Sequence, residues 1–419
     1  MRYEPLNLGR WIVWGAMALV FIVVPLAFSG GFALTMLIQM GTLIIFALSY
    51  NMLLGQGGML SFGHAVYSGL GAYLAVHTLN LIGKGAFPFP VTLLPLIGGF
   101  AGLLFGVLFG YVTTRRAGTT FALISLGIGE MVFACVLMFP GFFGGEAGVS
   151  TNRVVGQPFL GITYGPAIQV YYLVATWCFL SIVAMFALTQ TPLGRMANAV
   201  RDNPERAEFV GYDTQKVRFL QLVLASFFAG VSGALSCINF EIVSSENVSA
   251  LRSAGVLMAT YIGGVPFFLG PILGAIVFIF FAVALSGFTK AWLLYLGLFF
   301  VTVVLYAPGG IVSILLMQIP VLRAGRLREL LWPYALAAGA ALIAMAGLIG
   351  IVEMVYRLSE QGASTVLNVF GMSFDARTTA PWIGFALILA AGIVALRFAS
   401  RLVGARWGAI QQDLLARQP

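Results

Sequence analysis

The side chains with types able to do chemistry are few: His64, His77, Glu130, Glu353, Cys135, Cys178 and Cys237. Neither histidine has a second histidine or a carboxylate at ligand spacing, so no metal site is expected. The cysteines lie singly in apolar runs without pairing or metal spacing, and read as small core residues. A membrane-embedded enzyme would need a clustered His, Asp, Glu or Cys constellation, and none is written here. No GxxxxGK[ST] loop occurs, so the chain hydrolyses no nucleotide and is expected to bind no cofactor. What remains is hydrogen-bonding chemistry inside an apolar sequence. Glu130 reads either as a gate or interhelical hydrogen bond on a solute path, or as a carboxylate near a span's outer end that reaches interfacial water. His64, directly after Gly63, reads either as a cap on a free carbonyl or as a histidine packed in a bundle; the packed reading is the commoner. His77 reads as interfacial.

The elements that position these residues are membrane spans. Of 419 residues, 60% are hydrophobic and 9% charged, which excludes a soluble domain. The net charge of +8 does not point to nucleic acid, because the basic residues fall in short interhelical loops and tails. A hydrocarbon core about 30 Å thick takes about 20 helical residues. Ten candidate spans follow: 11–28, 32–50, 62–79, 91–112, 119–139, 168–189, 217–240, 253–264, 271–287 and 291–307. Arg2 and Arg10 precede the first, which reads as a retained helix rather than a cleaved signal. Glycines at 69 and 71, at 98, 99, 102, 106 and 110, and at 230 and 233 form small-residue stripes that let helices approach closely.

Two stretches break the pattern. Leu53 to Gly63 carries Gly55, Gly57, Gly58 and Gly63; the short eighth span is followed by Gly263, Gly264, Pro266, Gly270 and Pro271. Such breaks mark discontinuous helices whose loose backbone is sheltered by protein or lines a cavity. Gln56, Ser61 and His64 at the first break, and Thr260, Tyr261 and Gly263 at the second, are therefore candidate contacts for a passing solute, together with Glu130.

Between Gln190 and Arg218 the sequence turns polar and holds five of the 22 Lys and Arg residues, which places the segment in the cytoplasm. Thr191 and Pro192 start one short helix, with Leu193, Met196, Ala197 and Val200 on one face and Arg195, Asn198 and Arg201 turned away. Asn203 and Pro204 start a second, and Gly211 stops it. The pattern alone leaves three readings open: a docking surface, a solvated loop, or a helix on lipid headgroups.

The segment AVRDNPERAEFVGYDTQKVR, with the apolar run after it, resembles the RAIRDNxxAAExxGI coupling segment of ABC-importer permeases of the branched-chain amino acid (LivM) type. Four other blocks resemble that family in its order: LLGQGGMLSFGHAVYSGLGAYLA (Leu53 to Ala75), TTFALISLGIGEMV (Thr119 to Val132), GGVPFFLGPILGA (Gly263 to Ala275) and YAPGGIV (Tyr306 to Val312). As an ordered set they are specific; no single block suffices. The resemblance implies an all-α polytopic membrane protein with a permease core of about ten spans, type II-like, containing broken helices. It implies a non-catalytic subunit that works with a homologous second permease, two cytoplasmic ATPase subunits that use ATP, and an extracytoplasmic solute-binding protein. Family cargoes are branched-chain and other amino acids, urea and short amides, selected mainly by the binding protein. Leu193, Arg195, Met196, Val200, Arg201, Asp202, Arg206, Phe209 and Gly211 would couple to the ATPase. Met196, Val200 and Phe209 would bury in its groove, while Arg195, Arg201, Asp202 and Arg206 pair at the rim. The loop Pro140 to Pro166, with Glu146 and Arg153, would face the binding protein or the mouth of the path. A secondary transporter or channel working without ATP is the alternative, with Glu130 and Glu353 as its coupling carboxylates.

Past Val321 the resemblance ends. Residues 1–320 read as the permease core and 321–419 as an extension with two further spans, 334–358 and 381–397, and a basic tail, for twelve in all. With both termini in the cytoplasm of a bacterial inner membrane, Arg2, Arg10, Arg115, Arg116, the five cations between Gln190 and Arg218, Arg323, Arg326, Arg328 and the tail arginines Arg397, Arg401, Arg406 and Arg417 lie inside, whereas Lys84, Arg153, Arg252, Lys290, Arg357 and Arg377 lie outside.

Overall fold

The computed structural model describes residues 8–156, 161–359, 366–369 and 372–416. Arg2 and Arg417 of the charge argument lie outside the described residues. The chain divides into two compact units, residues 1–284 with 299–312, and residues 285–298 with 313–419.

The first unit begins with α1 (Leu8–Ala27) and α2 (Gly31–Asn51), whose last turn widens into a π-turn at Met52–Gln56. Then come α3 (Ala65–Gly83), α4 (Leu94–Thr113), α5 (Gly118–Met138) and the single turn α6 (Pro140–Phe143). After β1 (Val149–Ser150) follow α7 (Ala167–Gln190), α8 (Pro192–Asp202), α9 (Pro204–Phe209) and α10 (Thr214–Phe240). The strand β2 (Ile242–Val243), α11 (Ala250–Gly263) and α12 (Gly270–Ile279) complete the bundle before α13 (Trp292–Tyr306) and α14 (Gly310–Arg323). The hub is α10, whose most apolar stretch is 89% buried. It is gripped by α4 through the glycine stripe. A Cβ on Gly102 would collide with the Ser226 carbonyl, one on Gly106 would meet the Ser226 side chain, and one on Gly230 would strike the Gly98 carbonyl. Backbone contact of this kind is what small residues permit in a bundle.

In the second unit α15 (Leu327–Ser359) and α16 (Thr379–Ala416) are joined through a hairpin of β3 (Val366–Val369) and β4 (Met372–Asp375). Glycines again set the approach: a Cβ on Gly347 or Gly392 would meet the facing backbone at Leu389 or Ala344. Near one end Arg326 bonds Asp413 at 2.6 Å and Glu329 at 2.9 Å. These hydrogen bonds push the Arg326 guanidinium above its ordinary range.

Among the described residues the protein is helical apart from two short antiparallel pairings, β1 with β2 and β3 with β4. Twelve spans were expected. Among the described residues nine helices are long and apolar enough to cross a membrane, or ten if the pair α13 and α14 is one span bent by 46°. The shortfall has identifiable causes: the first apolar run is short at Trp11–Ala27, α11 has 14 residues, and Pro308 with Gly309 interrupts the run that sequence reading ended at Ala307. The residues after that break, unassigned from sequence, form α14.

Candidate functional site

The two sequence breaks meet in space. Gly55 in the π-turn lies against the Val265 carbonyl in the link between α11 and α12, and a Cβ there would come within 2.6 Å of that oxygen. Gly264 has φ +122°, a conformation few side chains tolerate, and packs on the backbone at Gly309 and Gly310. On the same side sits the elbow formed by α8 and α9. Its caps are the expected ones: Thr191 Oγ1 accepts from Gly194 N at 3.3 Å, and Asn203 Oδ1 accepts from Arg206 N at 3.0 Å. Gly211, at φ +92°, ends the second helix, and Asp213 Oδ1 caps α10 through Lys216 N at 3.0 Å.

The elbow is tied to the first break. Arg201 donates to the Gly55 carbonyl and to Asp202 Oδ1 at 2.9 Å, with its stem lying on Gly58. Gln221 on α10 donates to the Met52 carbonyl at 2.9 Å. This corrects the expected rim pairing, since Arg201 and Asp202 are engaged within the chain. Val200 is likewise not offered outward: with Ala197, Ala207 and Val217 it forms a small core against which Leu193 and Met196 pack. The outward apolar residues are Phe209, 90% exposed, and Val210, 75% exposed. Arg195 and Arg206 are also exposed.

At the other end of α10, about 40 Å away for a helix of 27 residues, a cavity of about 780 Å³ opens. Its walls are Gln39, Thr42 and Phe46 of α2, Phe133 and Leu137 of α5, Ser232 and Ser236 of α10, Arg252 and Val256 of α11, and Phe278 and Ile279 of α12. Glu146 and Glu246 complete it from the loops. None of the seven residues expected on the solute path lines it. His64 is fully buried behind it, stacked on Phe46 with ring centroids 5.4 Å apart, its Nε2 3.0 Å from Ser49 Oγ. It caps no carbonyl: Nε2 meets the Ser49 hydroxyl, and Nδ1 has no partner. Ser61 and Thr260 are buried, Thr260 donating to Val256 O at 2.8 Å. Gln56 meets Gln221 at 3.4 Å, Tyr261 packs edge-on to Phe300, and Gly263 packs on the Gly270 backbone. These residues form a closed floor between cavity and elbow; from Phe46 to Gly55 the chain advances roughly 13 Å. Asn51 Oδ1, His64 Nδ1 and Ser68 Oγ in that layer are buried without a hydrogen-bond partner.

Glu130 is exposed on a face of α5 shared with Leu123, Gly127, Met131 and Ala134, and among the described residues it makes no hydrogen bond to another helix. Arg153 does not face outward for a partner: its guanidinium donates to the carbonyls of Tyr164 at 2.8 Å, Gly165 at 3.2 Å and Asn239 at 3.3 Å, stapling the loop to the end of α10. His77 Nε2 donates to Phe142 O at 2.8 Å. In the second unit Glu353 accepts from Thr289 at 2.6 Å and Tyr295 at 3.1 Å, a satisfied carboxylate that pins helices. Arg252, counted from sequence among external loop charges, instead occupies the first turn of α11 inside the cavity. Sequence reading missed it because a single arginine beside a short apolar run carries the same signal as a loop cation. Ser249, three residues earlier and capping that helix, was the available clue.

A polytopic helical bundle with a mostly apolar cavity at one end and a packed layer of buried residues beneath it fits a transport permease. The family model described as "Branched-chain amino acid transport system / permease component" matches residues 32–309, and the chain belongs to that family. It is 27% identical over 289 residues to the high-affinity branched-chain amino acid transport system permease protein LivM of Escherichia coli (strain K12), covering 64% of this chain and 67% of that one. It is 22% identical over 245 residues to BraD of Pseudomonas aeruginosa, covering 56% and 79%. With a probable LivM of Methanocaldococcus jannaschii it shares 22% over 338 residues, covering 66% and 92%. No solved structure gives a significant match.

Proposed function

We propose that the chain is the membrane-spanning subunit of an ATP-driven importer that moves a small polar solute inward across a bacterial inner membrane. The observation that carries this reading is the elbow tip. Phe209 and Val210 are the most exposed large apolar side chains of an otherwise polar segment, whereas Ala197, Val200 and Ala207 are buried by the chain itself. An exposed apolar tip on a segment that also exposes Arg195 and Arg206 is the kind of surface that a groove on a cytoplasmic ATPase would take. Two such ATPase subunits use the ATP; this chain binds no cofactor and performs no catalysis. Closure of the ATPases pulls the elbow, Arg201 transmits the pull to Gly55, and the floor beneath the cavity opens. The elbow and both termini lie in the cytoplasm, and the cavity faces an external binding protein that delivers the solute.

A homologous second permease covers α5. Glu130 on an exposed apolar helix face is costly against lipid and is relieved at a protein interface. The ATP-independent alternative loses one of its two coupling carboxylates, since Glu353 is committed to Thr289 and Tyr295. The test is co-purification of the tagged chain from its native membrane. An ATPase, a second permease and ATP-dependent uptake in the reconstituted complex are expected. Solute flux from the chain alone, without an ATPase, would overturn the proposal.

A further inference from the structure

The cavity contains a cation that, among the described residues, makes no ion pair. Arg252 is held at its backbone by the Ser249 cap, its Nη2 donates to Ser236 Oγ at 3.3 Å, and its guanidinium lies 5.9 Å from the Phe46 ring centroid. Its Nε is buried and has no partner. Among the described residues no carboxylate forms an ion pair with it, although Glu146 and Glu246 line the same cavity. A charge withdrawn from water without a paired anion costs several kcal/mol. A cavity that keeps such a charge is arranged for an anion that arrives from outside.

We infer that Arg252 is the anchor of a carboxylate-binding subsite, and that the permease itself, not only a delivering protein, selects solutes bearing a carboxylate. The guanidinium fork matches a carboxylate's two oxygens. Ser236 and Ser232 stand beside it to accept or donate further hydrogen bonds, and Phe133, Val256 and Phe278 give an apolar wall for the rest of the solute. Glu146 and Glu246 leave room for an ammonium on the same molecule. The volume is within the range of about 300–1,000 Å³ typical of small-molecule sites. Urea and simple amides, neutral and unable to compensate the guanidinium, fit this subsite poorly. Its placement also makes sense of the floor: a bound carboxylate would sit one residue layer, Phe46, above the buried His64.

This inference rests on the importer reading, and the two are separable by experiment. Leu251, 76% exposed at the cavity edge, is changed to cysteine in a Cys135→Ala background, and the assembled complex is treated with a maleimide in detergent without nucleotide. The probes are L-leucine, L-leucinamide and urea at millimolar concentration. Slowing of labelling by L-leucine is expected, with at least tenfold weaker protection by L-leucinamide and none by urea. Arg252→Gln is expected to abolish the L-leucine effect, and Arg252→Lys to keep part of it because the charge survives without the fork. Equal protection by L-leucinamide, undiminished protection in Arg252→Gln, or no protection by L-leucine would each overturn the subsite. ATP hydrolysis and co-purification of the same variants report on assembly: if these persist while the carboxylate dependence fails, the importer stands and the subsite falls.

Discussion

Arg201 is the residue through which elbow and floor communicate, because its guanidinium reaches the Gly55 carbonyl while its neighbour Asp202 holds it from the other side. A hydrogen bond with a charged donor contributes about 1.5–3 kcal/mol, less here because the side chain is 37% exposed. Arg201→Ala is expected to leave the complex assembled and to lower solute moved per ATP hydrolysed about tenfold. The check is uptake and phosphate release measured on the same proteoliposomes. Asp213 gives a pH-dependent counterpart at the elbow's far end. The hydrogen bond from Lys216 N holds its carboxyl below the usual carboxylate range, so its cap is fully present above the unfolded value and fades as pH falls through the folded one. Asn caps equally well without titrating. Amide exchange at Lys216 is therefore expected to accelerate, relative to Asp213→Asn at the same pH, only in acid.

At the scale of elements, the glycine contact between α4 and α10 holds the bundle at backbone distance. Gly102→Leu puts a side chain where the Ser226 carbonyl stands and should cost about 1–3 kcal/mol or more, read as loss of the monodisperse peak in size-exclusion chromatography. Gly339→Ala, where no atom lies within 4 Å of the new carbon, is expected to be neutral or mildly stabilising. The same glycines show what a sequence can disclose. Their four-residue step announced a packing stripe, but α10 as its partner was settled by Gly230 meeting Gly98 and Gly102 across more than a hundred residues of chain. The elbow's starts and stop were legible because Thr191, Asn203 and Gly211 act through bonds to residues three or fewer away. The cavity was not legible: its walls come from residues 39–46, 133–137, 232–256 and 278–282, and no local pattern brings these together. His64, Ser61 and Thr260 were singled out for lying at breaks, and those breaks turned out to be the floor under the cavity rather than its lining.

For the molecule as a whole, the family match ends at residue 309, while α15 and α16 form a helical pair with their own glycine contacts. The transport cycle proposed here uses only the first unit, with elbow, floor and cavity stacked along α2 and α10. Its central claim is that an ATPase grips the exposed elbow tip and thereby drives the solute. Phe209 supports no internal packing, so Phe209→Asp tests the grip without disturbing the fold. The measurement is ATP-dependent uptake by proteoliposomes holding the chain, its second permease and its ATPases, with and without that substitution. Uptake at least tenfold lower, with the ATPase lost on purification, is the expected result. Uptake unchanged by Phe209→Asp, or continuing with no ATP present, would contradict the account.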